Sequence, residues 1–452
     1  MAELQKIRTE VNNAFKLGGF TIRREASTFV AEKLLTLSFK ERQTMLDKLS
    51  AHLMHQCLSQ PVLEKSHLET AYTEISTSGL EETETTLNVI DAFSVPKLCY
   101  DNERKRFVKE VSTANHLYPE PKWKAQFMID RYTLIWQRTL KNKLFVQEAL
   151  PTSDSEKCFQ LRKVEVLLSS SSRIDEIVVL GMLTQLTEGK FYLEDPTGTI
   201  PLDLSEVRYH SGLFTENCYV LAEGYYDDKV MHVTGMVLPP SENREESAPY
   251  FGNMNTFGGK SRTSLKNSKA LLKVEKDNSD AIFVFLSDVY LDSVKVLNKL
   301  KTLFSGFDEY PPIAIIMMVI FTTNPCRIQY CTQEFIVFRQ DLVTKMCRNV
   351  MHFPDTGDIP DHLTKTLLSQ CTLSPLTLSV QPVYWKHSEA LNLYPMPDLV
   401  IVGDNFQPYT RSHKNCHVVN PGSFPRTEYS FKVYVPASRT VEDSQIPNDD
   451  EA

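Results

Sequence analysis

The chain has 452 residues, 42% of them hydrophobic and 23% charged, enough apolar material for two or three domains with real cores. A net charge of −8 argues against a surface that grips a nucleic-acid backbone unaided, because phosphate binding is mainly charge neutralisation. The longest apolar run, "IAIIMMVIF" at 313–321, is too short to cross a bilayer as a helix and reads as a buried strand.

From the N-terminus, residues 1–76 read as an all-α bundle. Ile7, Val11 and Phe15 repeat at helical spacing, and Gly18-Gly19 ends that helix. Ala26, Val30, Leu34 and Leu37 form a second stripe. "SFKE" at 38–41 is a capping box before Leu46, Leu49 and Leu53, and a fourth helix carries Leu68, Tyr72 and Ile75. The polar "STSGLEETETT" then opens a stretch, 77–150, of linker and connecting helices. Within it "FMIDRYTLIWQRTLKNKLF" is helical and rather basic, and "RKR" at 104–106 reads as a solvated basic cluster.

Residues 151–240 carry five strand signals: "EIVVLGMLTQL", "KFYLED", "TIPLDL", "CYVLAEGYY" and "KVMHVTGMVL". Gly181 reads as a bulge in the first, and "PTG" as a turn whose glycine takes a positive φ. A loop or short helix, "SEVRYHSGLFTEN", follows the third strand, which is the order of an oligonucleotide/oligosaccharide-binding (OB) barrel. Between 176 and 240 there are three Lys/Arg against ten Asp/Glu. That field repels phosphate, so the barrel is expected to dock protein, with Phe191, Tyr192, Tyr219 and Tyr225 as candidate contacts.

After a Gly/Ser/Asn-rich link at 241–268 comes an α/β region, 269–436, and then an acidic tail, 437–452, expected to be disordered. "AIFVFLSD" and "PDLVIVGDN" are apolar strands that each end in an aspartate, Asp288 and Asp404. "HVVNPGSF" adds another strand and tight loop. Nine cysteines between positions 57 and 416 form no dense framework, and "MAELQKIRTE" has no signal-peptide pattern; both point to the cytosol or nucleus. Cys326 and Cys331 lack a second close pair and read as thiols rather than ligands. Lone histidines at 210, 232, 387 and 417 read as core or surface residues.

The strand-then-aspartate pattern resembles the calcineurin-like phosphoesterases, whose motifs run D-x-H, G-D-x-x-D, G-N-H-[DE], a lone His and G-H-x-H. Asp288-Val289-Tyr290 resembles the first motif with tyrosine at the histidine position. Gly403-Asp404-Asn405-Phe406 resembles the last with both histidines gone, and "NPGS" at 420–423 resembles the loop after it. No residues match the second and third motifs. Two ions about 3.5–4 Å apart need more donors than this, so the site is expected to be metal-free and inactive.

An acidic OB barrel beside a metal-free phosphoesterase-like domain resembles the non-catalytic second subunits of eukaryotic replicative DNA polymerases, the epsilon branch in particular. "FVFLSDVYLD", "GKFYLEDPTGTIPLDLS", "YVLAEGYYDD", "FTTNPCRIQYCTQE", "PVYW" and "NPGSFPR" carry the resemblance. It implies an AAA+ lid-like N-terminal module and a nuclear scaffold of DNA polymerase epsilon, without cofactor, catalytic residues or membrane attachment. The partners it implies are the C-terminal zinc-bearing region of the catalytic subunit and GINS in the replicative helicase. Through the complex they extend to the small histone-fold subunits and DNA.

In the family, the strand resembling "PPIAIIMM" leads into a glycine-bearing loop and further strands and helices. Here Val319-Ile320 runs straight into "FTTNPCR", so the phosphoesterase-like domain is expected to be shortened, with apolar surface and strand edges laid bare. Two other function classes stay open on the residues alone: an active metal-dependent phosphoesterase, and a free single-stranded nucleic-acid-binding OB protein.

Overall fold

The computed structural model describes residues 2–35, 39–54, 62–78, 85–110, 120–146, 159–261, 263–319 and 324–447. It forms two compact units, one of residues 1–85, 96–115 and 250–265, the other of residues 86–95, 116–249 and 266–452. The expected capping box at 38–41, Leu37, the Ile75 side chain and the junction at 320–323 lie outside the described residues.

In the first unit, α1 (Ala2–Leu17), α2 (Arg24–Leu34), α3 (Phe39–Met54) and α4 (Lys65–Ser78) share one apolar core. It contains Ile7, Val11, Phe15, Val30, Leu34, Leu49, Leu53 and Leu68, residues at the helical spacings of the sequence. Gly19, at φ 81°, ends α1 with a Phe20 N–H to Phe15 C=O bond of 2.9 Å, the wrap that glycine permits at a helix C-terminus. Two short strands, β1 (Thr21–Ile22) and β2 (Val62–Leu63), pair in parallel. The stretch expected as linker holds more structure than its polar start implies. β3 (Leu87–Ile90) belongs to the second unit, whereas β4 (Leu98–Asp101) and β5 (Arg106–Lys109) form a hairpin in the first. Phe107 of that hairpin stacks on Phe251, and Arg104 stands over the Phe20 ring.

The second unit begins with α5 (Lys122–Leu140), β6 (Leu161–Arg162) and α6 (Val164–Leu168). Next come β7 (Ile174–Thr187), β8 (Lys190–Asp195), β9 (Gly198–Asp203), β10 (Arg208–Tyr209), β11 (Tyr219–Asp227) and β12 (Val230–Val237). The pairing runs β12-β11-β7-β8-β9, and β9 pairs back to β12, so the sheet closes on itself. Val179, Leu183, Leu193, Ile200, Val220 and Val233 fill its interior.

Two local features differ from expectation. Gly181 is not a bulge: it pairs in register with Val220, and a Cβ there would stand 2.5 Å from Leu193 Cγ, so its role is close approach. The irregularity of that strand falls further on, between Thr184 and Thr187 opposite β8, and β11 has register shifts at Gly224, where a Cβ would lie 1.9 Å from the His232 carbonyl oxygen. The β8–β9 turn is set by Asp195 rather than by a positive-φ glycine. Its carboxylate accepts from Thr197 N–H, Thr197 Oγ1 and Gly198 N–H at 2.6–3.1 Å.

Beyond α7 (Arg244–Ser247) and α8 (Lys269–Asp277), two sheets build the rest of the unit. The first contains β13 (Phe283–Ser287), β14 (Ala314–Met318), β20 (Ser430–Val435) and β21 (Thr440–Gln445), in the order β14-β13-β20-β21, with α9 (Val294–Gly306) joining β13 to β14. The second contains β15 (Cys326–Tyr330), β16 (Gln333–Arg339), β17 (Leu399–Gly403), β18 (Tyr409–His413) and β19 (Cys416–Asn420), in the order β18-β19-β17-β16-β15-β3. Edge-to-face rings connect the sheets, from Tyr330 through Phe283 and Phe335 to Tyr434. The supposed tail is ordered over its first part, because β21 pairs with β20 along six residues through backbone bonds that its acidic side chains do not disturb.

Two further helices, α10 (Leu342–Asn349) and α11 (Ile359–Gln370), follow β16. α11 docks on the closed sheet through polar contacts. His362 Nδ1 accepts from Gly212 N–H at 2.9 Å, so its Nε2–H donates to Thr356 C=O at 2.7 Å. Thr366 Oγ1 accepts from Leu213 N–H, and Arg138 of α5 donates to the Leu368 and Ser369 carbonyls at the helix C-terminus.

Candidate functional site

Asp288 and Asp404 sit where the sequence places them, just past the C-terminal ends of β13 and β17, which pair in parallel with β14 and β16 respectively. Both are buried. Asp288 holds φ 57°, a conformation that aspartate tolerates better than most residues. The group beside it is a residue that the motifs do not mark, Arg339, the last residue of β16. Its Nε donates to Asp288 Oδ1 at 2.8 Å and its second terminal nitrogen lies 2.7 Å from the same oxygen. Its other terminal nitrogen donates to Asp341 Oδ1 at 2.7 Å and to the Gly403 carbonyl at 3.0 Å. Gly403 permits this closeness: a Cβ there would stand 2.6 Å from Ser287 Oγ and 3.0 Å from Arg339 Cδ.

Asp404 is committed elsewhere. Its Oδ2 accepts from Val343 N–H at 2.8 Å, at the N-terminus of α10, where backbone donors are free and a carboxylate is favoured. Its Oδ1 is buried without a hydrogen-bond partner. Burial raises its pKa to about 6; the Asp341 charge adds to this, while the Val343 N–H and the Arg339 charge oppose it. The "NPGS" loop is held by Asn420, whose amide accepts from the Asp404 and Gly422 N–H groups and donates to the Phe406 and Gln407 carbonyls. Tyr290 and Phe406, the residues that the sequence resemblance sets against histidines, are half-buried and offer no imidazole. Asp288 is occupied by a guanidinium and Asp404 by a helix N-terminus, so the residues present do not fit a metal pair. Among the described residues no group of three His, Cys, Asp or Glu has the arrangement of a metal centre.

The four candidate docking aromatics part company. Tyr219 is buried inside the chain: its hydroxyl donates to Met128 C=O at 2.8 Å, and its ring lies against Tyr132 and the Arg131 guanidinium of α5. It is thereby unavailable to a partner. Phe191 lines a cavity of about 190 Å³ with Glu216, Arg348, Met351 and Leu376, at the seam between the closed sheet and the C-terminal helices. Tyr225 is held flat between Arg173, 4.4 Å from its ring centroid, and His232, stacked at 4.7 Å; His232 in turn pairs with Asp203. Tyr192 is half-buried on β8. Cys326 and Cys331 bracket β15, about 16 Å apart along the strand, too far to share an ion.

An apolar face lies open on the first sheet. β14 is its edge strand, and Met317 (42% exposed), Leu291 (58%), Leu297 (44%) and Phe304 (46%) crowd the surface between it and α9. With Leu300 and Lys301 they line a groove of about 490 Å³. Among the described residues no helix is long and apolar enough to cross a membrane.

Comparison with known families matches residues 3–75 to the DNA polymerases epsilon N-terminal model. Residues 121–240 match the DNA polymerase epsilon subunit 2-like OB-fold model, and 314–411 match the B-subunit model of DNA polymerases alpha and epsilon. The chain is 40% identical to DNA polymerase epsilon subunit 2 of Homo sapiens over 521 positions, covering 98% of this chain and 99% of the relative. It is 38% identical to the Drosophila melanogaster protein of that name, covering 99% of each. It is 27% identical to the probable DNA polymerase epsilon subunit 2 of Caenorhabditis elegans, covering 99% of this chain and 96% of that one. The 521 aligned positions exceed the 452 residues of the chain, so the human protein fills positions that this chain lacks.

Proposed function

The chain belongs to the DNA polymerase epsilon subunit 2 family, and from that premise we propose that it works as a scaffold that transforms nothing. It is an accessory subunit of DNA polymerase epsilon, acting in DNA replication. The observation that carries the non-catalytic reading is the Arg339 guanidinium on Asp288: a carboxylate neutralised by a fixed side chain has no charge left to hold an ion. In this reading the strand ends are a degenerate phosphoesterase site whose loops have become structural.

The closed sheet and the C-terminal sheets together hold the C-terminal zinc-bearing region of the catalytic subunit. Phe191 at the seam, Tyr192, and Tyr225 with its Arg173 and His232 brackets are the docking contacts. Pre-ordered aromatic rings are economical anchors, since little side-chain entropy is left to lose. The N-terminal helices link the polymerase to GINS in the replicative helicase. The small histone-fold subunits and DNA are reached through the complex, and the working place is the nucleus. The missing positions fall between β14 and β15, where Ile320 runs into Phe321; the bare face around Met317 and Phe304 supports this, because a continuing sheet and its helices would cover it.

The test is co-purification of the full chain with the C-terminal region of the catalytic subunit. Retention is expected, and weaker retention for Tyr225→Ala and Phe191→Ala. Failure of the wild-type chain to retain that region would sink the scaffold reading.

A further inference from the structure

We propose that Arg339 is the resident cation of the strand-end site, a side chain that stands where a phosphoesterase of this topology would need bound metal. This rests on the degenerate-site reading and goes beyond it. An abandoned site can simply fill with apolar bulk; here the carboxylate at the end of β13 is retained, buried, and matched to a built-in positive charge. The guanidinium gathers oxygens from three segments of chain: Asp288 after β13, Asp341 before α10, and the Gly403 carbonyl at the end of β17. Convergence on one cation from several strand ends is how a divalent ion organises such a site. Asp341 carries the network onward, accepting from Asn405 N–H at 3.0 Å, which fixes the loop after β17.

Two further observations point the same way. The Arg339 side chain is 10% exposed and the Asp288 side chain 1% exposed, so the pair sits where solvent cannot screen it. Gly403 leaves room for the guanidinium stem to cross β17. Removing the guanidinium would leave carboxylate and carbonyl oxygens around an emptied volume, a donor set that suits Mn²⁺ or Mg²⁺.

The experiment is thermal melting of the full chain in EDTA, Mg²⁺ and Mn²⁺, with equilibrium dialysis for bound Mn²⁺. Wild type is expected to melt alike in all three and to bind no Mn²⁺. Arg339→Ala should melt roughly 5–10 °C lower in EDTA and recover part of that loss with Mn²⁺, which it should now bind. Arg339→Lys, which keeps the charge but not the fork that reaches all three segments, should melt between the alanine variant and wild type with no Mn²⁺ response, and it decides the matter if the alanine variant does not fold. Mn²⁺ bound by wild type would overturn both this proposal and the degenerate-site reading. An alanine variant as stable as wild type, or one destabilised yet blind to Mn²⁺, would overturn this proposal alone and leave Arg339 an ordinary ion-pair residue.

Discussion

Gln370 plays the part of a neighbouring strand for Tyr219. Its side-chain oxygen accepts from the Tyr219 N–H at 2.7 Å and its amide nitrogen donates to the Tyr219 carbonyl at 2.8 Å, so one side chain at the end of α11 satisfies the first residue of β11. Gln370→Leu strands both backbone groups in a buried place, and a loss of about 2–4 kcal/mol is expected. Gln370→Glu keeps the acceptor but sets a carboxylate oxygen against the Tyr219 carbonyl, so it should lose at least as much at pH 7 and less in acid, where the protonated carboxyl can donate. Urea unfolding of the full chain, followed by proteolytic sensitivity near 219, measures both.

Gly224 marks a register shift of the closed sheet, and its missing side chain lets the His232 carbonyl approach. Gly224→Ala should destabilise the sheet by about 2–3 kcal/mol, because the backbone carbonyl in the way cannot rotate aside. Gly189 gives the contrast. It has open space around it but a φ of 76°, so alanine there should cost about 1 kcal/mol through backbone conformation alone. A denaturation series on the two variants separates steric from conformational cost.

Asp404 gives the C-terminal sheets a pH dependence of known sign. Its pKa is raised from 3.8 to about 6, mainly by burial, so the folded state holds the proton more tightly than the unfolded chain does. The contribution of this group is therefore full below about pH 4 and is lost as pH rises through 6, a change of order 2–3 kcal/mol. Asp404→Asn keeps an acceptor for the Val343 N–H and removes the buried charge. Its urea midpoint should exceed that of wild type at pH 7–8, and the difference should vanish near pH 4. A difference that stays constant across that range would assign the effect to packing.

The bare face beside β14 should make the chain sticky. Concentration-dependent association of the full chain is expected in sedimentation or light scattering. Met317→Lys with Phe304→Lys should reduce it while shifting stability little, since both side chains are already half in water. Wild type that stays monomeric at high concentration would contradict this.

What the residues disclosed follows from how local each signal is. The strands of the closed sheet and the stripes of α1 and α2 were legible because alternation and helical spacing are written within ten or so residues. Asp288 and Asp404 were legible as the ends of apolar runs. Arg339 was not: "FRQDL" reads as an ordinary strand end, and the carboxylate it meets lies 51 residues earlier in the chain. His362 and Gln370 were missed for the same reason, since their partners on the closed sheet lie 150 and 151 residues away. Tyr219 was misjudged because an aromatic on a barrel strand has no mark telling which helix will cover it. β21 escaped because ladder bonds come from the backbone, and a partner strand can order a segment as polar as "TVEDSQ".

The short strand β3 has a practical bearing on any dissection of the molecule. Residues 87–90 pair with β15, some 240 positions further on, while 96–115 and 250–265 return to the N-terminal unit. The chain is thus stitched back and forth, and no single cut divides it cleanly. A fragment begun at the closed sheet would strip its larger partner sheet of the outermost ribbon, and a fragment ended before residue 250 would take the Phe251 platform away from Phe107. Pieces made by such cuts would report their own torn edges rather than the behaviour of the intact protein.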